Sequence, residues 1–424
     1  MRQKQIISSP LIGEEMIKIT HESGLTVYIS KKDFGMSYAV FGTRYGSIEN
    51  TFTVDGERTE VPHGIAHFLE HKMFESEDGS DGFEKFGKYG ADANAYTSFD
   101  RTAYIFSCTE NFYESLEVLL RMVTTPHFTE KNVEKEKGII RQEIKMCEDR
   151  TSYRRYYNLL KALYGNLPIA IPVAGTVESI GKITPELLYK CYNAFYRMSN
   201  MALCVCGNLD EDSVMEIVDR VIGNRSVGTV LPEYPADDFE AASGFISDEM
   251  DISKPIGAIG LKIPLNVKNE VLDILCNAVF GESEEFYSSL YEKRMVNHYD
   301  IGCDCVRNAK TMIIEFDSDS PKKVYEGFLK HIEKIRIDGV DVEAFERAKK
   351  TEYAETLRKY DSSISVAEAV FDGFIDGNDF IGLAERYSAV TADDVNQLAK
   401  QIFKKESTAL SVVCPKGYIE AEKD

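Results

Sequence analysis

Residues 61–75 read VPHGIAHFLEHKMFE. Within them His67 and His71 stand four apart, so on a helix both imidazoles leave the same face. Glu70 follows His67 by three and lies beside it. Ile65, Phe68, Leu69 and Met73 recur at helical spacing, which predicts a helix buried on one side. Pro62 is expected in its first turn, where a missing N–H is no loss. Two imidazoles and a carboxylate on an otherwise apolar helix cost desolvation energy unless they have partners. Zinc is a suitable partner. It accepts neutral imidazole nitrogens, and a catalytic zinc site keeps one position open for water. A lone histidine is more often a satisfied core residue, but His-x-x-Glu-His inside a buried helix argues against that reading.

A third ligand must come from another element. The segment EKNVEKEKGIIRQEIKMCEDR (130–150) predicts a helix with Val133, Ile140, Ile144 and Cys147 as its apolar stripe. Glu136 and Glu143 are seven apart and share the face bordering that stripe. Glu130, Glu134 and Glu148 belong on its solvated side. Spacing alone leaves Glu136 and Glu143 both open as the ligand. His63 also forms a four-residue pair with His67.

The chain that must position these residues has 424 residues, enough for two to three domains. Apolar residues make up 43% and charged residues 28%, as in ordinary globular proteins. No run reaches the ~18–20 apolar residues of a membrane span. The opening MRQKQIISSPLIGEEM has no apolar core of signal-peptide length. Nine cysteines, an odd number scattered along the chain, argue for reduced thiols and a cytoplasmic setting. The pairs Cys204/Cys206 and Cys303/Cys305 read as small residues sharing one face of a strand. A net charge of −21 argues against nucleic acid or an anionic membrane as partner and mildly favours basic or neutral ligands.

Along the chain, residues 1–15 are expected to be a loose tail. Strands are predicted at 25–31, 36–47, 91–108 and 201–207, and helices at 82–90, 110–124, 129–148, 153–164 and from Thr184. The stretch 224–244, with its prolines, glycines and acids, is the expected linker. It separates a first domain, 1–225, from a second, 245–424. TPELLYKCYNAFYRMSNMALCVCG (184–207) and TADDVNQLAKQIFKKESTALSVVC (391–414) superpose without a gap at an offset of 207. That repeat predicts two homologous α+β domains, each a mainly antiparallel sheet with helices packed on one face. At the same offset His67 and His71 fall on Ile274 and Ala278, so one metal site per chain is expected.

These residues carry a family resemblance. His67-Phe68-Leu69-Glu70-His71, followed by the helix from Glu136 to Glu143, resembles the inverted zinc motif of the insulinase/pitrilysin family. Gly64-Ile65-Ala66, Asn94-Ala95-Tyr96-Thr97-Ser98, Gly175-Thr176-Val177-Glu178-Ser179-Ile180 and Asn200-Met201-Ala202-Leu203 extend the match, which is clearest over 40–210. The length and duplication are similar to the bacterial half-size members that resemble mitochondrial processing peptidase subunits. The resemblance implies a zinc metalloendopeptidase acting on peptides or unfolded protein segments. His67, His71 and Glu143 would hold Zn2+, Glu70 would be the general base, and Glu136 would orient a ligand. His63 is then a neighbour of the site. Asn94, Ala95 and Thr97 would lie on the edge strand that receives substrate.

One departure bears on partners. Many members bring an Arg and a Tyr, seven apart, from the second domain to the substrate carbonyl. Here Tyr291 and His298 stand at those positions, Arg294 and Tyr299 lie close by but five apart, and the preceding glycine-rich turn is reduced to Gly281. The resemblance therefore implies a dimer with a related chain that supplies the pair. A homodimer using Arg294 and Tyr299 stays open. A peptide-binding scaffold subunit is the alternative function, and the presence of all five motif residues favours the enzyme.

Overall fold

Short strand-forming runs, near-continuously apolar at the centre, set the first sheet. In the computed structural model, which describes residues 2–77, 79–80, 82–223 and 229–418, seven strands line up side by side. Their order is Gln3–Ser9, Glu14–Thr20, Thr26–Lys31, Met201–Gly207, Ser37–Thr43, Thr102–Cys108 and Asp92–Thr97. All neighbours are antiparallel except Thr26–Lys31 with Met201–Gly207. The central strand Met201–Gly207 is buried at every position. Its Leu203 and Val205 face the core that holds the helix Ile65–Lys72. Cys204 and Cys206 face the other way, toward Val366, Val370 and Phe371 of the helix Ser363–Asp376. The C-x-C pair is thus a pair of small core residues, and all nine cysteines are free thiols.

A second sheet has the order Phe245–Met250, Thr408–Pro415, Ile256–Ile263, Ala309–Asp317 and Tyr299–Val306. The repeat appears element by element. The helix Pro185–Phe195, the turn Met198–Asn200 and the strand Met201–Gly207 recur as Ala392–Ile402, Lys405–Ser407 and Thr408–Pro415. The side chains of Thr184 and Thr391 cap the two helices. The chain is therefore α+β with two homologous, mainly antiparallel domains.

The compact units are not continuous in sequence. One comprises Met1–Ile144, Pro172–Tyr234 and Thr356–Glu385, and the other Lys145–Ile171, Pro235–Glu355 and Arg386–Asp424. The helix Ser363–Asp376 covers the second face of the first sheet. The helix Thr151–Tyr164 does the same for the second sheet, where a Cβ on Gly260 would meet Leu163 at 2.6 Å. The division expected between 1–225 and 245–424 is crossed by both helices.

Three local expectations are corrected. The N-terminal residues are no loose tail: Gln3 pairs with Thr20 and Ser9 with Glu14. Their polarity is that of an edge strand facing solvent. Of the expected linker, residues 224–228 lie outside the described residues, and Val230–Pro232 pairs with Thr51–Val54 in a small sheet. The predicted strand 91–108 is two strands, joined by a turn in which the Ser98 N–H donates to the Arg101 carbonyl at 2.8 Å.

The metal-motif helix starts later than Pro62. Gly64 takes the left-handed conformation at φ 88° and the helix begins at Ile65. This turn is pinned from outside. A Cβ on Gly64 would lie 2.4 Å from the Ala174 carbonyl oxygen, and one on Gly175 would lie 2.5 Å from that of His63. The Ser179 hydroxyl donates to the His63 carbonyl at 2.8 Å and also completes a capping box with Thr176. The segment 175–179 thereby fixes where the helix starts. Gly64→Ala should cost about 1–3 kcal/mol of stability, read as a lowered urea midpoint. Gly56→Ala, at φ 84° with nothing within 4 Å of the new Cβ, should cost less and so isolates the steric part.

Candidate metal centre

The helix Ile65–Lys72 buries Ile65, Ala66, Phe68 and Leu69, which aims His67, Glu70 and His71 at one cleft. The cleft has a volume of about 650 Å³ and is also lined by Glu136, Glu143 and the edge strand Asp92–Thr97. His67 Nε2 lies 3.6 Å from Glu143 Oε1, and His71 Nε2 lies 3.6 Å from Glu143 Oε2. Ligand atoms of these three residues all lie within 4.8 Å of one another, the one such metal-competent group found among the described residues. Zinc bonds of about 2.0–2.2 Å at tetrahedral angles put ligand atoms roughly 3.3–3.6 Å apart, so the donor set fits zinc in type and its two imidazole–carboxylate gaps match that spacing.

The remaining carboxylates divide by environment. Glu136 Oε1 sits 3.1 Å from His71 Nδ1. A proton on Nδ1 that donates to it leaves Nε2 free to ligate. Glu70 is 8% exposed, and the Thr97 hydroxyl donates to its Oε2 at 2.7 Å. Burial raises the Glu70 carboxyl above its ordinary range, against the pull of Thr97 and His71. Glu136 is also buried, but its hydrogen bond to His71 and the nearby Lys72 charge outweigh that and hold it low. Burial, reinforced by His71, pushes His67 down to about 3, so its ring is neutral. Burial also opposes charge on His71, but Glu136, Glu70 and Glu143 overcome it and raise its pKa.

His63 is set apart. It lies before the helix start, so no helical His63/His67 pair exists, and its backbone serves the turn through its carbonyl. Asn94 is exposed and its Oδ1 accepts from the Ala95 N–H at 2.9 Å. Both belong to the terminal strand of the sheet. Elsewhere Ser23, His21 and Asp219 form a hydrogen-bonded Ser–His–Asp chain, but Ser23 is 1% exposed and its hydroxyl is closed to substrate.

Two known sequence profiles match this chain. One, described as Insulinase (Peptidase family M16), covers residues 55–177, and one described as Peptidase M16 inactive domain covers 182–352. The uncharacterized zinc protease YmfH of Bacillus subtilis is 44% identical over 290 residues, 65% of this chain and 67% of that protein. The structure of an M16-like peptidase from Alicyclobacillus acidocaldarius superposes with a TM-score of 0.89 at 31% identity, covering 98% of this chain and 99% of that one. This chain belongs to the insulinase family, peptidase family M16. Pitrilysin shares the fold, at a TM-score of 0.76 and 16% identity, with 97% of this chain matching 46% of pitrilysin.

The second M16 unit keeps the helix and drops the ligands. In Asn269–Phe280, Ile274 and Ala278 are buried apolar residues, and the Asn277 side-chain amide donates to Glu352 at 2.5 Å. Tyr291, Arg294 and His298 are exposed. Tyr299 is 8% exposed and its hydroxyl donates to the Phe280 carbonyl at 2.8 Å, so this phenol is engaged inside its own unit.

Sequence reasoning missed two partners of the site. Thr97 was expected only as a substrate contact, yet its hydroxyl holds Glu70. The strand's alternation carries the signal, because Ala93, Ala95 and Thr97 share one face. Lys72 was not singled out, although it follows Ile65 by seven on the buried stripe. A proton must leave His71 before Nε2 can ligate. Zinc affinity should therefore be steady at alkaline pH and fall by about tenfold per pH unit below the raised His71 pKa. His67, already neutral, should add nothing above pH ~4. Chelator competition between pH 5 and 8 measures this.

Proposed function

We propose that this chain is the metal-bearing subunit of a zinc-dependent metalloendopeptidase that hydrolyses peptides or unfolded protein segments. The observation that carries the reading is the convergence of His67, His71 and Glu143 beside Glu70, at a sheet edge. Zinc held by the three ligands would supply Lewis acidity toward a water and a scissile carbonyl. Glu70 is the general base. The Thr97 hydroxyl occupies its Oε2, which leaves Oε1 to take the proton from water and pass it to the leaving amine. Burial raises this carboxyl's proton affinity, which favours taking up the proton. Glu136 holds the His71 ring through Nδ1. The extended peptide adds to the edge strand Asp92–Thr97, where Asn94 and Ala95 meet its backbone.

A related chain completes the site by bringing an Arg and a Tyr to the substrate carbonyl. Two observations support this. Ungapped, Tyr291 and His298 fall where the resemblance expects the family's Arg and Tyr, and the Tyr299 hydroxyl is tied to Phe280. The match to 46% of pitrilysin fits one half of a two-part enzyme.

Cleavage and zinc content should be measured together for the wild-type chain and Glu70→Gln, each alone and mixed with a candidate Arg/Tyr-bearing relative. Glu70→Gln should keep about one zinc per chain, as one site predicts, and lose on the order of 10²–10⁴-fold in rate. Cleavage should require the partner. Cleavage that survives Glu70→Gln would reject the base. Zinc without cleavage in every pairing would make the chain a peptide-binding scaffold.

A further inference from the structure

Lys72 directly follows His71, and its side chain is wholly buried, at 0% exposure. It stands seven after Ile65, on the apolar stripe that seats the helix in the core. An ammonium taken out of water persists only when paired. Lys72 Nζ is paired with the Glu75 carboxylate and lies 3.4 Å from Glu136 Oε2. The other oxygen of Glu136, Oε1, is the one that meets His71 Nδ1 at 3.1 Å. A single carboxylate therefore spans a buried cation and a proposed metal ligand.

We propose that Lys72 is a positioning residue for the metal centre, holding Glu136 in place beneath the helix so that Glu136 in turn fixes the His71 ring. The inference rests on the zinc reading above. Glu136 has two carboxylate oxygens and several rotamers open to it. With Oε2 drawn toward Lys72, Oε1 is left facing His71 Nδ1, and His71 Nε2 points at Glu143. Glu75, on the cleft wall, accepts a second hydrogen bond from the ammonium. A methionine in place of Lys72 would preserve the apolar packing of the stem and remove the charge, leaving Glu136 tied to His71 alone.

Zinc affinity by chelator competition on the full chain, and the visible absorption of Co2+ bound in its place, test this for wild type, Lys72→Met, Glu136→Gln and the double variant. Lys72→Met should weaken zinc binding by about 10–100-fold and shift the Co2+ bands. In the Glu136→Gln background the same change should do neither, because Lys72 acts through that carboxylate. Lys72→Met with wild-type affinity and spectrum would overturn the proposal, and so would a loss that repeats in full without Glu136. Thermal unfolding of the metal-free variants checks the fold. Should Lys72→Met not fold, Lys72→Gln, which keeps a donor of neutral charge, carries the same comparison. A wild-type chain that binds no zinc would instead remove the zinc reading, and this inference with it.

Discussion

The first unit must hold several carboxylates and two imidazoles together at the mouth of one cleft. Glu70, Glu136 and Glu143 crowd around His67 and His71, with Glu75 close by. Two like charges about 4 Å apart repel by roughly 4 kcal/mol at the effective dielectric of a protein surface. The fold withstands this because the helix that carries the motif is anchored on its far side by Phe68 and Leu69, each 0% exposed. Its start is clamped by the close passage of Gly64 and Gly175. Rigid anchoring keeps the charges near each other, and cations then become the means of balancing them. Lys72 supplies one from within, and the open face of the cleft suits a divalent ion.

Within that cluster, environment sets Glu70 and Glu136 apart. Glu70 and Glu136 have the same reference pKa, and both are buried, Glu70 the more deeply desolvated. Glu70 has a neutral hydroxyl as its closest partner, and desolvation wins. Glu136 has an imidazole and an ammonium, and they win. One carboxylate is suited to moving protons and the other to staying ionised as a fixed acceptor. Neither role can be read from residue type, because the difference lies in which groups the tertiary fold sets beside each oxygen.

Much of the site was visible in the sequence, because helical periodicity fixes which side chains share a face. His67, Glu70 and His71, and likewise Glu136 and Glu143, needed only the 3.6-residue repeat to be grouped. The choice of Glu143 over Glu136 as ligand came from family resemblance, since both lie on one face and only the approach of the other helix separates them. Features that depend on tertiary packing were missed. Pro62 suggested a helix start, but the contact of Gly64 with Ala174 sets it three residues later. QKQIISS looked unstructured because an edge strand has little apolar signal. The exchange of the helices Thr151–Tyr164 and Ser363–Asp376 between the units leaves no local trace. Both are ordinary amphipathic helices, and nothing in either says which sheet it will cover.

The duplication separates what the fold needs from what the chemistry needs. The second unit repeats the helix, the edge strand and the capped helix feeding an inner strand, yet Ile274 and Ala278 stand where the imidazoles would be. At the offset position of Glu70, the Asn277 side-chain amide donates to Glu352. The same architecture therefore assembles with apolar residues at the ligand positions. Packing between sheet and helices, not metal coordination, carries its stability. By the same physics the first unit's core would need no ion to hold it. His67 and His71 sit on a helix already held by Ile65, Phe68 and Leu69, so an ion bound there would be free to serve geometry instead of holding the chain folded. That is the arrangement expected of a catalytic metal site, whose open position must survive the loss and return of water.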